Sequence, residues 1–283
     1  MDLNLIFSEL PFKIIRYKSL SGGDINNSFW VETENGNFFI KLNRAKPYPQ
    51  MFRKEANGLL YLSDSGFVSV PKVIATGESN NIQYLVLEWI EDNRSKTTSW
   101  EDFGVSLAKM HQIVQPCFGF KEDNYIGSIK QINTPSHTWE EFYSECRILK
   151  LAHILFNQKK IGAQELNQGQ NVCKKLNEIF PEEKPALLHG DLWSGNYLVS
   201  SNNKIVLIDP AVYYGHREMD LGMTLLFGGF PSCFYEAYSE EYSLEKNWKQ
   251  RLPLTQLYPL MVHAILFNGN YLLEVKKVLK KFS

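Results

Sequence analysis

A chain of 283 residues with 44% hydrophobic and 22% charged side chains can bury a sizeable core, as one large domain or two lobes. Its 18 glycines and 12 prolines exclude a collagenous or low-complexity chain, and a net charge of −1 argues against nucleic acid or an anionic membrane as the main partner. Met1-Asp2-Leu3-Asn4-Leu5-Ile6-Phe7-Ser8-Glu9 lacks the positive region and cleavage site of a signal peptide, and no apolar run reaches the roughly 18 residues of a membrane span. Cys117, Cys146, Cys173 and Cys233 form no C-x-x-C pair, so they read as reduced, mostly buried thiols of a cytoplasmic protein.

The first 90 residues are strand-rich. Residues 14–20 alternate as a strand, a polar loop follows (Ser21-Gly22-Gly23-Asp24-Ile25-Asn26-Asn27), and residues 28–33 and 37–42 flank Glu34-Asn35-Gly36, an Asn-Gly hairpin signal in which both residues accept positive φ. A helix is expected over residues 50–64, stopping near Gly66 ahead of Pro71. Residues 70–76 and 83–90 read as two more strands around Ser79-Asn80-Asn81. Beyond Glu91 the apolar period becomes helical, over residues 100–114 and 139–156. The exception is residues 185–210, where two short apolar runs bracket His189-Gly190-Asp191-Leu192-Trp193-Ser194-Gly195-Asn196. The residues around Leu272, Val275, Val278 and Leu279 pattern as an amphipathic closing helix with a solvated lysine face. These elements predict an α+β fold of two lobes: residues 1–90 a small β-rich lobe with an antiparallel sheet, residues 91–283 a larger, mainly helical lobe.

Asp191 and Asn196 form D-x-x-x-x-N on a tight turn between Gly190 and Gly195: a carboxylate to accept a hydroxyl proton and an amide oxygen to ligate magnesium. Asp209 ends the apolar run Leu207-Ile208-Asp209-Pro210, where a carboxylate is costly unless paired or metal-bound. In the small lobe Lys41 lies within Phe38-Phe39-Ile40-Lys41-Leu42, and Glu55 shares a helix face with Met51, Phe52, Ala56 and Leu59. Each charge is costly alone; together they match the strand-lysine to helix-glutamate pair with which kinases hold the α/β-phosphates of ATP. Gly22-Gly23 suits a backbone lid over phosphates, and equally a plain hairpin turn. Glu88-Trp89-Ile90, at the passage between lobes, is the expected adenine contact. Trp193 must face core or substrate, and its ring suits a sugar face. His216, Glu218 and Asp220 either bind a polar acceptor or pair with Arg217 and cap a helix. His111 reads as a satisfied core histidine, and His189 as an orienting residue for its loop.

On Leu187-Leu188-His189-Gly190-Asp191-Leu192-Trp193-Ser194-Gly195-Asn196, Ile208-Asp209-Pro210-Ala211-Val212-Tyr213-Tyr214-Gly215-His216-Arg217-Glu218 and Leu226-Phe227-Gly228-Gly229-Phe230-Pro231, the sequence resembles the fructosamine kinase (ketosamine-3-kinase) family of the protein-kinase-like fold. The resemblance implies an ATP- and Mg2+-dependent kinase that phosphorylates the sugar 3-hydroxyl of a glycated amine or glycated protein, after which the adduct decomposes and frees the amine. It makes Asp191 the proton acceptor, Asn196 and Asp209 the magnesium ligands, Lys41 (with Glu55), Gly22, Gly23, Glu88, Trp89 and Ile90 the nucleotide site, and Trp193 and His216 substrate contacts. Asp24 stands where some members carry a loop cysteine, so thiol control of that loop is not expected. The alternatives are a kinase of the aminoglycoside or choline type and a non-catalytic nucleotide-binding scaffold. Lys41, Glu55, Asp191, Asn196 and Asp209 together oppose the scaffold reading.

Overall fold

The structure, a computed structural model, describes residues 6–7, 9–20, 26–94, 99–267 and 269–283. The chain divides into two compact units, Met1–Ser99 with Tyr197–Asp209, and Trp100–Asn196 with Pro210–Ser283. The expected division at residue 90 thus misses a returning segment, which tertiary pairing assigns to the first unit.

In the first unit β1 (Ile14–Leu20), β2 (Asn27–Thr33), β3 (Gly36–Arg44), β4 (Val73–Ser79) and β5 (Ile82–Glu88) form an antiparallel sheet in the order β1-β2-β3-β5-β4. The β2–β3 turn differs from the expected one. Thr33 pairs with Gly36, so the two turn residues are Glu34 and Asn35, and of Asn35 and Gly36 only Gly36 has positive φ, at 114°. Thr33 Oγ1 accepts the Asn35 N–H at 3.1 Å, which holds the turn without a left-handed asparagine. At β4–β5 the two asparagines take up that conformation, Asn80 at φ 49° and Asn81 at φ 62°. Strand β4 starts three residues later than expected, beyond Pro71, which has no N–H for a ladder. Helix α1 (Met51–Asp64) buries Met51, Phe52, Ala56, Leu59 and Leu62 and packs on β4 and β5. It ends ahead of Gly66, at φ 73°. The hairpin β9 (Tyr197–Val199) and β10 (Ile205–Leu207) joins this unit through Leu207 N–H to Ser69 O at 2.8 Å and Asn93 N–H to Val199 O at 2.8 Å.

The second unit is mainly helical. Helix α2 (Trp100–His111) lies against α8 (Ser232–Glu241), and Gly104 permits the approach: a Cβ there would stand 2.4 Å from the Phe234 carbonyl. A hairpin of β6 (Asn124–Ile126) and β7 (Ile129–Gln131) precedes the expected helix over residues 139–156, which is interrupted. Helix α3 (Trp139–Tyr143), capped by Thr138, runs into a π-helical turn over Ser144–Ile148 before α4 (Leu149–Asn157). The wider turn buries Ser144, Cys146, Arg147 and Ile148, where a regular α-helix shows a stripe. Helices α5 (Ala163–Cys173) and α6 (Leu176–Ile179) lead to β8 (Ala186–Leu188), which pairs antiparallel with β11 (Tyr213–Gly215). There follow α7 (Glu218–Leu226), α8, α9 (Trp248–Thr255), α10 (Leu257–Leu266) and α11 (Tyr271–Phe282), whose Val275, Val278 and Leu279 face the core as expected. Cys146 and Cys173 are buried, Cys117 and Cys233 are half-buried, and all four are free thiols.

Candidate active site

In the first unit the chemistry centres on Lys41. Strand β3 is interior to the sheet, so Ile40, Lys41 and Leu42 are all buried, and a lysine there needs partners. It has two: Nζ donates to Glu55 Oε1 at 2.8 Å and to Asp209 Oδ1 at 2.5 Å. Burial works against the ammonium, but the Asp209 and Glu55 carboxylates outweigh it and hold Lys41 well above the ordinary lysine range. Burial pushes the Glu55 carboxyl up, opposed by Lys41. Asp209 takes φ 55°, and its side chain stays half-exposed beside the buried lysine. Glu88 is less available than expected: its N–H is spent on Lys72 O at 2.9 Å and its Oε2 accepts the Lys72 N–H at 3.2 Å. Trp89 and Ile90 follow the strand end, half-buried. Gly22 and Gly23 lie outside the described residues.

In the second unit the loop after β8 is held mostly by side chains that bond its backbone groups. His189, fully buried, accepts the Asp191 N–H on Nδ1 at 3.3 Å, which fits the orienting role. Gly190 has φ 84°, and a Cβ on it would lie 2.1 Å from the Ala211 carbonyl oxygen, so only glycine fits. From α7, the buried Asp220 accepts the N–H of His189 on Oδ2 (2.7 Å) and of Gly190 on Oδ1 (2.9 Å). His111 lies behind it, Nε2 3.3 Å from Asp220 Oδ2 and Nδ1 2.8 Å from the Tyr238 hydroxyl, a satisfied core histidine. Asn196 Nδ2 donates to the Asp191 carbonyl at 2.8 Å and to Asp191 Oδ2 at 2.9 Å. With its nitrogen so engaged, the Asn196 oxygen is the atom left for a cation. Leu192 is fully buried and anchors the turn, while Trp193 is half-buried with its ring folded over Gly195, where a Cβ would come within 2.3 Å of it.

Trp193 meets the Phe227 ring edge-on at 5.4 Å, and Phe227 continues to His263 (4.9 Å) and Tyr271 (6.4 Å). This aromatic wall beside the loop joins residues far apart in sequence, and no spacing announces it. His216 does not fit the contact role expected of it. Its ring is fully buried beside Trp139 and Phe180, Nδ1 accepts the Glu218 N–H at 3.3 Å, and burial holds its pKa low, so it has no surface to offer a substrate. The neighbouring charges pair internally: Arg217 with Glu183 at 3.0 Å, and Glu218 with Arg251 at 2.5 Å. The alternative of pairing with Arg217 and capping α7 is not realised either: Arg217 turns to Glu183, Glu218 to Arg251 and Asp220 to the N–H groups of His189 and Gly190, and Arg217, the N-cap residue of α7, makes no side-chain cap.

Residues 7–283 match the family model described as fructosamine kinase. A protein named as a probable ketoamine kinase from Synechocystis sp. is 38% identical over 277 residues, 96% of this chain and 91% of the relative. The chloroplastic protein-ribulosamine 3-kinase of Arabidopsis thaliana is 38% identical over 265 residues, 92% and 80% of the two chains. The crystal structure of a candidate fructosamine-3-kinase from Haemophilus somnus superposes with a TM-score of 0.88 at 31% identity, covering 96% of this chain and 92% of that one. An amicoumacin kinase and an aminoglycoside phosphotransferase, at 15–16% identity, share the protein-kinase-like α+β fold alone. This is an ATP-dependent phosphotransferase, and the chain belongs to the fructosamine kinase family.

Proposed function

We propose that this ketosamine kinase transfers the γ-phosphoryl group of ATP to the 3-hydroxyl of the sugar moiety, the step that makes the adduct decompose and release its amine. The observation that carries the reading is Lys41, buried between Glu55 and Asp209 and so kept charged, in the strand position suited to ATP phosphates. Asp191, its carboxylate oriented by Asn196, accepts the proton of the attacking hydroxyl. Trp193 and the aromatic wall behind it suit the apolar face of a sugar and the stem of its amine.

Magnesium fits the residues present. Asn196 and Asp209 each offer a hard oxygen, and a cation that also takes phosphate oxygens and water needs few protein ligands. When bound it neutralises charge on the transferring phosphoryl group. Glu88, Trp89 and Ile90 remain the proposed adenine contact through groups other than the Glu88 N–H. The acceptor is a glycated amine, free or on a protein. Incubation of purified protein with ATP, Mg2+ and ribulose-lysine or fructose-lysine, followed by phosphorus NMR, is expected to show a sugar 3-phosphate. Turnover of neither substrate, or phosphate on another hydroxyl, overturns the reading.

A further inference from the structure

We propose that Gln131 is a positioning residue for phosphoryl transfer: through one hydrogen bond it fixes the Ala211 carbonyl against which Gly190, and so Asp191, is set. Ala211 follows the Asp209-Pro210 pair, and its N–H donates to the His189 carbonyl at 2.9 Å. Its carbonyl lies against the Cα of Gly190, at the place a Cβ would need. That carbonyl accepts from Gln131 Nε2 at 3.0 Å, and the next one, of Val212, accepts from Asn124 Nδ2 at 2.8 Å.

The amide orientations that make this possible are forced from Arg147. Arg147 is fully buried and has only donors; its Nη2 donates to Asn133 Oδ1 at 2.8 Å. Asn133 must therefore turn Nδ2 to Glu122 O (3.1 Å) and Asn124 Oδ1 (3.0 Å). Asn124 in turn aims its own nitrogen at Val212, and Gln131 must meet its oxygen with Nε2, at 2.8 Å. That leaves Gln131 Oε1 to accept the Tyr258 hydroxyl at 2.9 Å and the second Nε2 hydrogen for Ala211. Rings of Phe142, Tyr213 and Tyr258 pack around the Arg147 guanidinium at 4.4–5.1 Å and keep water from substituting for these bonds. Without the Gln131 donor, the buried Ala211 carbonyl must turn to find another and moves off the Gly190 Cα it packs against.

Gln131→Glu keeps the size and removes both donors, placing an oxygen against the Ala211 carbonyl. Ketosamine phosphorylation by this variant is expected to lose about 10²-fold in kcat with KM for ATP unchanged within about twofold, the pattern of misaligned reacting groups rather than lost binding. Tyr258→Phe, which leaves the hydrogen bond from Gln131 Nε2 to the Ala211 carbonyl in place, is expected to stay within about threefold of the parent kcat. Amide exchange at Gly190, whose N–H donates to Asp220 and whose Cα packs on that carbonyl, quickens at least about tenfold in Gln131→Glu and not in Tyr258→Phe when measured on the same proteins. A purely structural Gln131 predicts a lower Tm with unaltered kcat. That result, or equal losses in the two variants, overturns the proposal; where Gln131→Glu does not fold, Gln131→Met is measured in its place. The kinetic arm rests on Asp191 as the base, whereas the exchange arm does not, so the two assignments fail separately.

Discussion

Asp191 accepts from Asn196 Nδ2 at 2.9 Å, and its own N–H rests on His189, so the carboxylate is oriented before a substrate hydroxyl arrives. Asp191→Asn keeps the shape and removes the proposed base; kcat should fall by about 10²–10⁴-fold while ATP affinity, measured by titration, stays near the parent value. Retention of full activity would move the base elsewhere. At this scale the Lys41 and Glu55 pair is legible because charge is costly in an apolar setting, and the D-x-x-x-x-N string because its acid and amide stand in a marked string on one glycine-bounded turn. His216 misleads for the same reason: a polar residue in a marked string suggests contact with substrate, yet its string folds inward against Trp139 and Phe180. Gln131, Asn124 and Arg147 give no sign at all, since an uncharged amide or a single arginine is ordinary on any surface.

Strand and helix identities follow from period and punctuation, and the departures occur where another element intervenes. The π-helical turn at Ser144–Ile148 has no local signal, because it answers to the packing around Arg147. Helix pairing depends on small residues in a comparable way. Gly104→Ala drives a methyl into the Phe234 carbonyl of α8 and should cost about 1–3 kcal/mol in urea unfolding. Gly169→Ala, in α5 with nothing within 4 Å of the new methyl, should instead stabilise by up to about 1 kcal/mol through helix propensity. Equal effects of the two substitutions would contradict the packing described for α2 and α8.

Over the whole molecule a net charge of −1 conceals strong local charge, with Lys41, Arg147, Arg217 and Arg251 all buried in their own units. Titration follows the burial. His216 is held low by burial, so between its folded pKa and the ordinary 6.5 the unfolded chain binds more protons. Its contribution to stability is complete above pH 6.5 and is lost as pH falls through the folded value. Glu55, pushed up by burial, works the other way above its ordinary 4.5. The His216 contribution to unfolding free energy is therefore expected to decline from pH 7 to 5 with a slope of at most about 1.4 kcal/mol per pH unit, and His216→Gln should remove that contribution from the measured slope. An unchanged slope in that variant would show the ring to be protonated when folded.

The sequence by itself determined the α+β class, the five strands and one helix of the first 90 residues, and the choice of Lys41, Glu55, Asp191, Asn196 and Asp209 as candidate site residues, because period, turn residues and misplaced charge are local properties. Tertiary structure alone decided that residues 197–209 belong with the first unit, that Asp209 joins Glu55 on Lys41, that His216 is enclosed, and that the Asp191 loop hangs on Asp220 and Ala211. Those outcomes depend on which distant groups can satisfy a buried donor or acceptor, and hydrogen bonds between residues up to 168 apart in sequence leave no mark on local patterning.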